Sequence, residues 1–126
     1  MVPPGEADRG LTEEVIGAIK EVHSVMGHGM HEGVYQGCLE SEFERREIPY
    51  RSRQELPVRY KGTILKKRYR PDFILYDRIV LEIASEPALT QEDERLLHNH
   101  LRISGMKLGL LANFGAPRLE IRRIVL

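Results

Sequence analysis

The sequence predicts an α/β domain with two leading helices and a mixed β-sheet. The apolar residues repeat at helical spacing up to about residue 46, and from Ile48 onwards they alternate with a period of two. The segment MKLGLLANF, apolar on both faces, follows a further helical segment, which is typical of a buried central strand. A strand, a crossover helix and a second strand make a βαβ unit, so part of the sheet should be parallel.

Two amphipathic helices are predicted at the start of the domain. The first should begin at Thr12, acting as N-cap, and end near Met26, where GHG interrupts the pattern. The second should end near Arg46. Residues 1–10 should form a disordered leader, so that a single domain spans residues 11–126. The predicted buried stripes are Leu11, Val15, Ile16, Ile19, Val22 and Met26 on the first helix, and Val34, Tyr35, Cys38, Leu39 and Phe43 on the second.

Two hairpins and a crossover helix are predicted next. ELPVRYKGTIL is typical of two strands joined by a turn at Lys61–Gly62, and YRPDFILYDRIVLEIA predicts a further hairpin. A helix should then begin after its N-cap Thr90, with Asp93 in a capping-box position, and end at Gly105. The segment LEIRRIVL should close the sheet.

The overall charge does not indicate a nucleic-acid-binding protein. Lys plus Arg number 19 and Asp plus Glu number 19, so the basic excess of such proteins is missing. A local basic face remains open, and KKRYR at Lys66–Arg70 is its best candidate. The alternative is that this run is a solvated edge strand.

The single cysteine and the hydropathy pattern give an expectation for the cellular compartment of the protein. Cys38 cannot form an internal disulfide, which suits a reducing cytosol, and its place in a helical apolar stripe predicts a buried structural thiol. No apolar run approaches the roughly 18 residues of a membrane span. We therefore expect a cytoplasmic protein with no membrane partner.

The second hairpin carries two acids whose placement depends on its register. A two-residue turn at Asp77–Arg78 would put Glu82 on the core face, opposite Phe73. A three-residue turn, Tyr76–Arg78, pairs Asp72 with Glu82 instead. Register follows the hydrophobic pattern, because a slip of one residue moves every side chain to the other face. The three-residue turn is predicted because it places these residues on one apolar face: Phe73, Leu75, Ile79, Leu81 and Ile83.

Asp72 and Glu82 should then point from the same face, with Cβ atoms about 5 Å apart. Two facing carboxylates raise each other's pKa unless a cation lies between them. A hard divalent ion such as Mg²⁺ or Mn²⁺ prefers such ligands. The alternative is a structural ion pair of one acid with Arg70 or Arg78.

Several motifs together resemble a family of small bacterial and archaeal proteins, the GxxExxY family of the PD-(D/E)XK nuclease-like superfamily. The resemblance implies an αβββαβ core and descent from a metal-dependent phosphodiester hydrolase acting on DNA or RNA. The motifs, in the family's order, are GMHEGVY at Gly29–Tyr35, YRPD at Tyr69–Asp72, LE at Leu81–Glu82, ALT at Ala88–Thr90 and GMKLGLLANFG at Gly105–Gly115.

The resemblance also implies roles for individual residues. Asp72 matches the motif aspartate and Glu82 the first residue of ExK, and both would be catalytic residues and ligands of Mg²⁺ or Mn²⁺. Glu32 matches the helix glutamate, a further metal ligand or an acid that holds water.

The chain departs from the family pattern at two positions where related proteins carry residues that assist catalysis. Ala84 stands where the motif lysine would orient the attacking water, and Leu96 stands where related proteins often carry a glutamine. Arg70 could supply a relocated catalytic cation, and so could Lys107. We therefore expect a nuclease-like domain with weak or no activity. The alternatives are an active nuclease with a relocated cation and a partner-binding scaffold.

The five histidines show no good metal-ligand spacing. His28 and His31 flank a glycine segment, and His98 and His100 face different ways on one helix. We expect these to be surface or cap residues.

Overall fold

The computed structural model describes residues 4–126, with side chains described from residue 8 onwards. Among these residues, no helix is both long enough and apolar enough to cross a membrane. The elements are α1 (Pro4–Met26), α2 (Glu32–Arg45), β1 (Tyr50–Ser52), β2 (Leu56–Tyr60), β3 (Thr63–Tyr69), β4 (Phe73–Leu75), β5 (Ile79–Ala84), α3 (Gln91–Ser104), β6 (Leu108–Asn113) and β7 (Glu120–Val125).

The main sheet has five strands in the order β1-β4-β5-β6-β7. β5 and β6 are parallel, and the other neighbours are antiparallel. This confirms the predicted α/β class, the mixed sheet and the crossover through α3. β2 and β3 pair only with each other, and they form a separate two-stranded ribbon between β1 and β4 in the chain.

The helices cover the sheet on both faces. α1 and α2 pack on one face, in a core that contains Tyr35, Phe43, Phe73 and Leu81. α3 packs on the other face. A Cβ at Gly109 of β6 would lie 2.8 Å from a Leu97 side-chain carbon of α3, so this glycine allows the helix to approach the strand directly. That contact fixes α3 over the face that carries Glu82.

The start of α1 differs from the prediction. The helix begins at Pro4 rather than after Thr12, so residues 4–10 are helical, and residues 1–3 of the expected leader lie outside the described residues. Thr12 is buried inside the helix, and its hydroxyl donates to the Asp8 carbonyl oxygen at 2.7 Å instead of capping an end. Proline is compatible with a first helical turn because its missing N–H would have no intrahelical acceptor there.

The second and third helices fit the sequence pattern more closely. α2 ends at Arg45, but Val34 is exposed and Cys38 is only half-buried, so the predicted stripe was too wide. α3 begins after Thr90, whose capping box with Asp93 is complete, and it ends at Gly105 in the left-handed conformation. These cap predictions are confirmed, because local side-chain chemistry decides where a helix starts and stops.

Candidate active site

The register of the β4–β5 hairpin confirms the predicted three-residue turn. Leu75 lies opposite Ile79, which leaves residues 76–78 as the loop, and Phe73 lies opposite Leu81. One step further along the ladder, Asp72 faces Glu82. The backbone N–H of Ile83 donates to Asp72 Oδ2 at 2.9 Å, which fixes the aspartate beside the strand.

Both acids belong to the sheet face that α3 covers, and they open into a cleft of about 460 Å³. Side chains from five elements, α2, β3, β5, α3 and β6, and from the segments between them, meet there. The acidic and imidazole side chains in the lining are Glu32, Asp72, Glu82, Glu86, Asp93 and His100. The basic side is formed by the end of β3 and the residue after it, with Lys67, Arg68, Tyr69 and Arg70.

The two carboxyl groups lie side by side, with Glu82 buried and Asp72 half-buried. Burial, and then the charge of Glu82, raises the pKa of Asp72 to about 7. Burial raises the pKa of Glu82 to about 7 as well, although its hydrogen bond with Asp72 acts in the opposite direction. One proton shared between the two carboxyl groups accounts for this arrangement. A cation bound between them would remove the need for that proton.

Glu32 reaches the same cleft from α2. It is the first residue of that helix, whose N-cap His31 accepts the Gly33 N–H at its Nδ1 atom, 2.9 Å away. Burial, and then the Asp72 charge, raises the pKa of Glu32. α2 thus begins at Glu32, and the Glu32 side chain lines the cleft. Within residues 4–126, however, no three or more His, Cys, Asp and Glu side chains converge closely enough to hold a metal ion by themselves.

The loop before Glu32 is held by the last residue of the GMHEGVY motif. The Tyr35 hydroxyl donates to the Gly27 carbonyl oxygen at 2.8 Å and accepts the Met30 N–H at 3.2 Å. Its ring stacks on Phe114 with the centroids 4.4 Å apart. Gly29, with φ of +85°, donates its N–H to the Phe114 carbonyl oxygen. The spacing of glycine, glutamate and tyrosine thus has a physical reason: the tyrosine fastens the loop that presents the glutamate.

We expect Tyr35→Phe to lower the free energy of unfolding by about 1–2 kcal/mol, because the Gly27 and Met30 backbone groups lose a buried partner while the ring stack remains. Urea denaturation measures this loss. Tyr60→Phe, which removes the hydroxyl of an exposed tyrosine, is the matched control and should change stability by less than about 0.5 kcal/mol. Equal effects of the two variants would contradict the role given to the Tyr35 hydroxyl.

His100 is a cleft residue that sequence reasoning missed. Its side chain is 3% exposed and its Nδ1 atom contacts Glu82 Oε1, so the expectation of a surface histidine is wrong. Burial lowers the pKa of His100, which favours a neutral ring that donates its Nδ1 proton to the glutamate. The ring edge also meets Tyr69 at a centroid distance of 5.4 Å. The position of His100 between Leu97 and Leu101 on the buried face of α3 was the signal that could have found it.

The two residues proposed from the sequence as relocated cations, Arg70 and Lys107, lie in different parts of the structure. Arg70 does line the cleft, and its guanidinium pairs with Glu55. Lys107 is excluded as a relocated cation, because it precedes Leu108, which pairs with Ile79 at the far end of β5 from Glu82. Lys67, which sequence reasoning did not single out, lines the cleft together with Arg70.

The two positions where the sequence departs from the family pattern both face this cleft. Ala84 and Leu96 are part of its lining, and Leu96 is 43% exposed although it is apolar. A second carboxyl pair lies beside them: a hydrogen bond with Asp93, and then burial, raises the pKa of Glu86 to about 7. The cleft therefore has acids at its floor and rim, but no basic side chain at position 84.

The fold and the paired acids on adjacent strands identify the class of protein. The family model of the PD-(D/E)XK nuclease superfamily matches residues 9–124, so the chain belongs to that superfamily. Nucleases of this superfamily generally use divalent metal ions.

One solved structure adds support for the fold alone. The crystal structure of SSO0001 matches 95% of this chain with a TM-score of 0.62 at 17% sequence identity. The chain spans 59% of the length of that protein. No curated protein sequence matches this chain.

Proposed function

We propose that this domain binds Mg²⁺ or Mn²⁺ through Asp72 and Glu82 and is a nuclease-like domain with weak or no hydrolytic activity. The observation that carries the proposal is the pair of facing carboxylates, with pKa values raised to about 7, in a cleft where residue 84 is alanine. We also place the chain in the GxxExxY group, since Tyr35 and Gly29 fix Glu32 as described above. The lone Cys38 supports a reducing, cytoplasmic setting.

The side chains present suit a hard divalent ion. Asp72 and Glu82 supply carboxylate oxygens, and the close approach of the two carboxyl groups would be relieved by a positive charge. Mg²⁺ usually keeps several waters and binds through one or two carboxylates, so the lack of a third converging side chain is compatible with such a site. Glu32, which lines the same cleft, would hold one of those waters by hydrogen bonding.

The chain's own residues would act on a phosphodiester in three ways. Asp72 and Glu82 would hold the ion, which would supply charge to polarise a phosphate oxygen and lower the pKa of a water. His100 fixes the orientation of the Glu82 carboxylate through its Nδ1 contact, as second-layer hydrogen bonds do around metal ligands. Glu32 orients water. The charge stabilisation that a lysine at position 84 would add is missing, and Leu96 contributes none.

A second candidate is an active nuclease whose cation comes from β3 or the residue after it. It is favoured by one observation, the presence of Lys67 and Arg70 in the cleft lining. A third candidate, a partner-binding scaffold, needs no metal. Metal binding and cleavage together separate the three.

Calorimetric titration with Mg²⁺ and Mn²⁺ tests the proposal. We expect the wild type to bind one ion and Asp72→Asn to weaken binding at least tenfold, because a neutral amide replaces one of two charged ligands. Glu32→Gln should weaken binding by a smaller factor, since it acts through water. Glu13→Gln, an exposed acid on α1, is the matched control and should leave affinity unchanged. If the wild type binds neither ion measurably, the result would contradict the metal site and favour the partner-binding scaffold.

A further inference from the structure

We propose that the β2–β3 ribbon is an arm that binds the backbone of double-stranded DNA and leads it past the Asp72–Glu82 cleft. This inference deepens the proposed function by naming a substrate class. DNA binding by the ribbon does not depend on metal binding or on hydrolysis, so an experiment can reject the ribbon proposal without rejecting the proposed metal site, and the reverse.

The ribbon concentrates positive charge in a chain with no net charge. Six of the 19 Lys and Arg residues lie between residues 56 and 70, and no Asp or Glu does. They are Arg59, Lys61, Lys66, Lys67, Arg68 and Arg70. Only Arg70 forms an ion pair with an acid, Glu55, among the described residues. The other five make no ion pair with an acid among the described residues, although the ammonium groups of Lys61 and Lys67 lie over the rings of Tyr60 and Tyr69. A polyanion is the partner whose charge complements this set.

The ribbon is also unusually open to solvent. All residues of β3 except Tyr69 are exposed. The ribbon contacts α3 in two ways: β2 packs beside that helix, and the Tyr69 ring meets the His100 ring. Lys66 and Arg68 lie two positions apart on β3, about 6.8 Å, and Arg70, which pairs with Glu55, follows directly after the strand. A row of charges of this length suits a chain of phosphates rather than a single small phosphate.

The alternative explanation is that the lysines only protect an edge strand from aggregation. The apolar residues near the tip argue against it: Tyr60 is 59% exposed, Ile64 49% and Leu65 39%. A strand protected by charge alone has no reason to expose these three. The major groove of B-DNA, about 12 Å wide, admits a two-stranded ribbon, with apolar contacts to bases and cations at the flanking phosphates. This combination favours duplex DNA over a single strand.

The base of the ribbon meets the cleft. Lys67, Arg68 and Arg70 line it together with Asp72 and Glu82, and only Pro71 separates Arg70 from Asp72. DNA held along the ribbon would therefore pass the two acids.

Binding of a fluorescein-labelled 20-base-pair duplex, measured by anisotropy in EDTA, tests the arm without metal. The variant Arg59→Gln/Lys61→Gln/Lys66→Gln changes ribbon residues outside the cleft lining. We expect it to weaken binding at least tenfold and to reduce the slope of log affinity against log salt by about 2–3.

The matched control removes three exposed basic residues elsewhere: Lys20→Gln/Arg102→Gln/Arg123→Gln. It should weaken binding less than threefold. Lys66→Glu and Lys20→Glu repeat the comparison with single changes, should either triple variant fold poorly. Equal losses in ribbon and control variants, no duplex binding by wild type, or tighter binding of single-stranded DNA or RNA than of the duplex would each overturn the proposal. Duplex binding by a protein that binds no metal would support the DNA-binding role of the ribbon and contradict the proposed metal site.

Discussion

Ala84→Lys is expected to raise Mg²⁺- or Mn²⁺-dependent cleavage of DNA or RNA at least about tenfold, a modest part of the 10²–10³ typical for one electrostatic donor. Residue 84 follows Glu82 by two positions on β5, so the side chain shares its sheet face, and Ala84 lines the cleft. A lysine stem can pass along Leu96 and Leu111, which also line the cleft, with its ammonium group among the acids. Cleavage of a supercoiled plasmid measures the gain.

Two controls separate this gain from other causes. Ala84→Met has a similar length without charge and should give no increase, so a gain with methionine would point to packing. Asp72→Asn in the lysine background should remove the activity, because contaminating nucleases would not respond to that change. Brisk cleavage by the wild type, lost in Asp72→Asn, would instead favour a cation from Lys67 or Arg70. An Ala84→Lys protein that binds metal but cleaves no faster than wild type would contradict the missing-lysine explanation.

Asp72→Asn is expected to stabilise the metal-free protein by about 1–2 kcal/mol at pH 8, after discounting for the partial exposure of Asp72. The folded protein raises the pKa of Asp72 and of Glu82 to about 7, whereas both are near 4 in an unfolded chain. Their favourable contribution is therefore complete below about pH 4 and is lost as pH rises through about 7. Asparagine removes the buried charge, and with it the repulsion by Glu82, and keeps an oxygen that can accept the Ile83 N–H.

Thermal unfolding in EDTA from pH 5 to pH 8 measures this effect. The advantage of Asp72→Asn over wild type should grow with pH and level off above about 7, and Mg²⁺ should reduce it because the wild type binds the ion more tightly and is stabilised more. Glu13→Gln should follow the wild-type curve. A constant difference across this range would show that the folded protein does not raise the pKa of Asp72.

Much of the fold was predictable because it rests on local patterns. The caps of α3 at Thr90 and Gly105 are determined by side chains within a few residues. The register that joins Asp72 to Glu82 follows from the alternation of apolar residues along one hairpin, since the two-residue turn would put Glu82 on the core face opposite Phe73. These features depend on residues close together in the chain, so the caps and the alternation of apolar residues can be recognised in the amino-acid sequence.

Tertiary structure decided what depends on residues far apart in the chain. His100 became a buried partner of Glu82 because α3 packs directly on the strand at Gly109. Lys107 was excluded because the parallel pairing of β5 and β6 sets it at the other end from Glu82. The sequence by itself determined which acids face each other. The three-dimensional packing determined which imidazole and which cations reach them, because a hairpin sets its own register whereas the cleft exists only where separate elements meet.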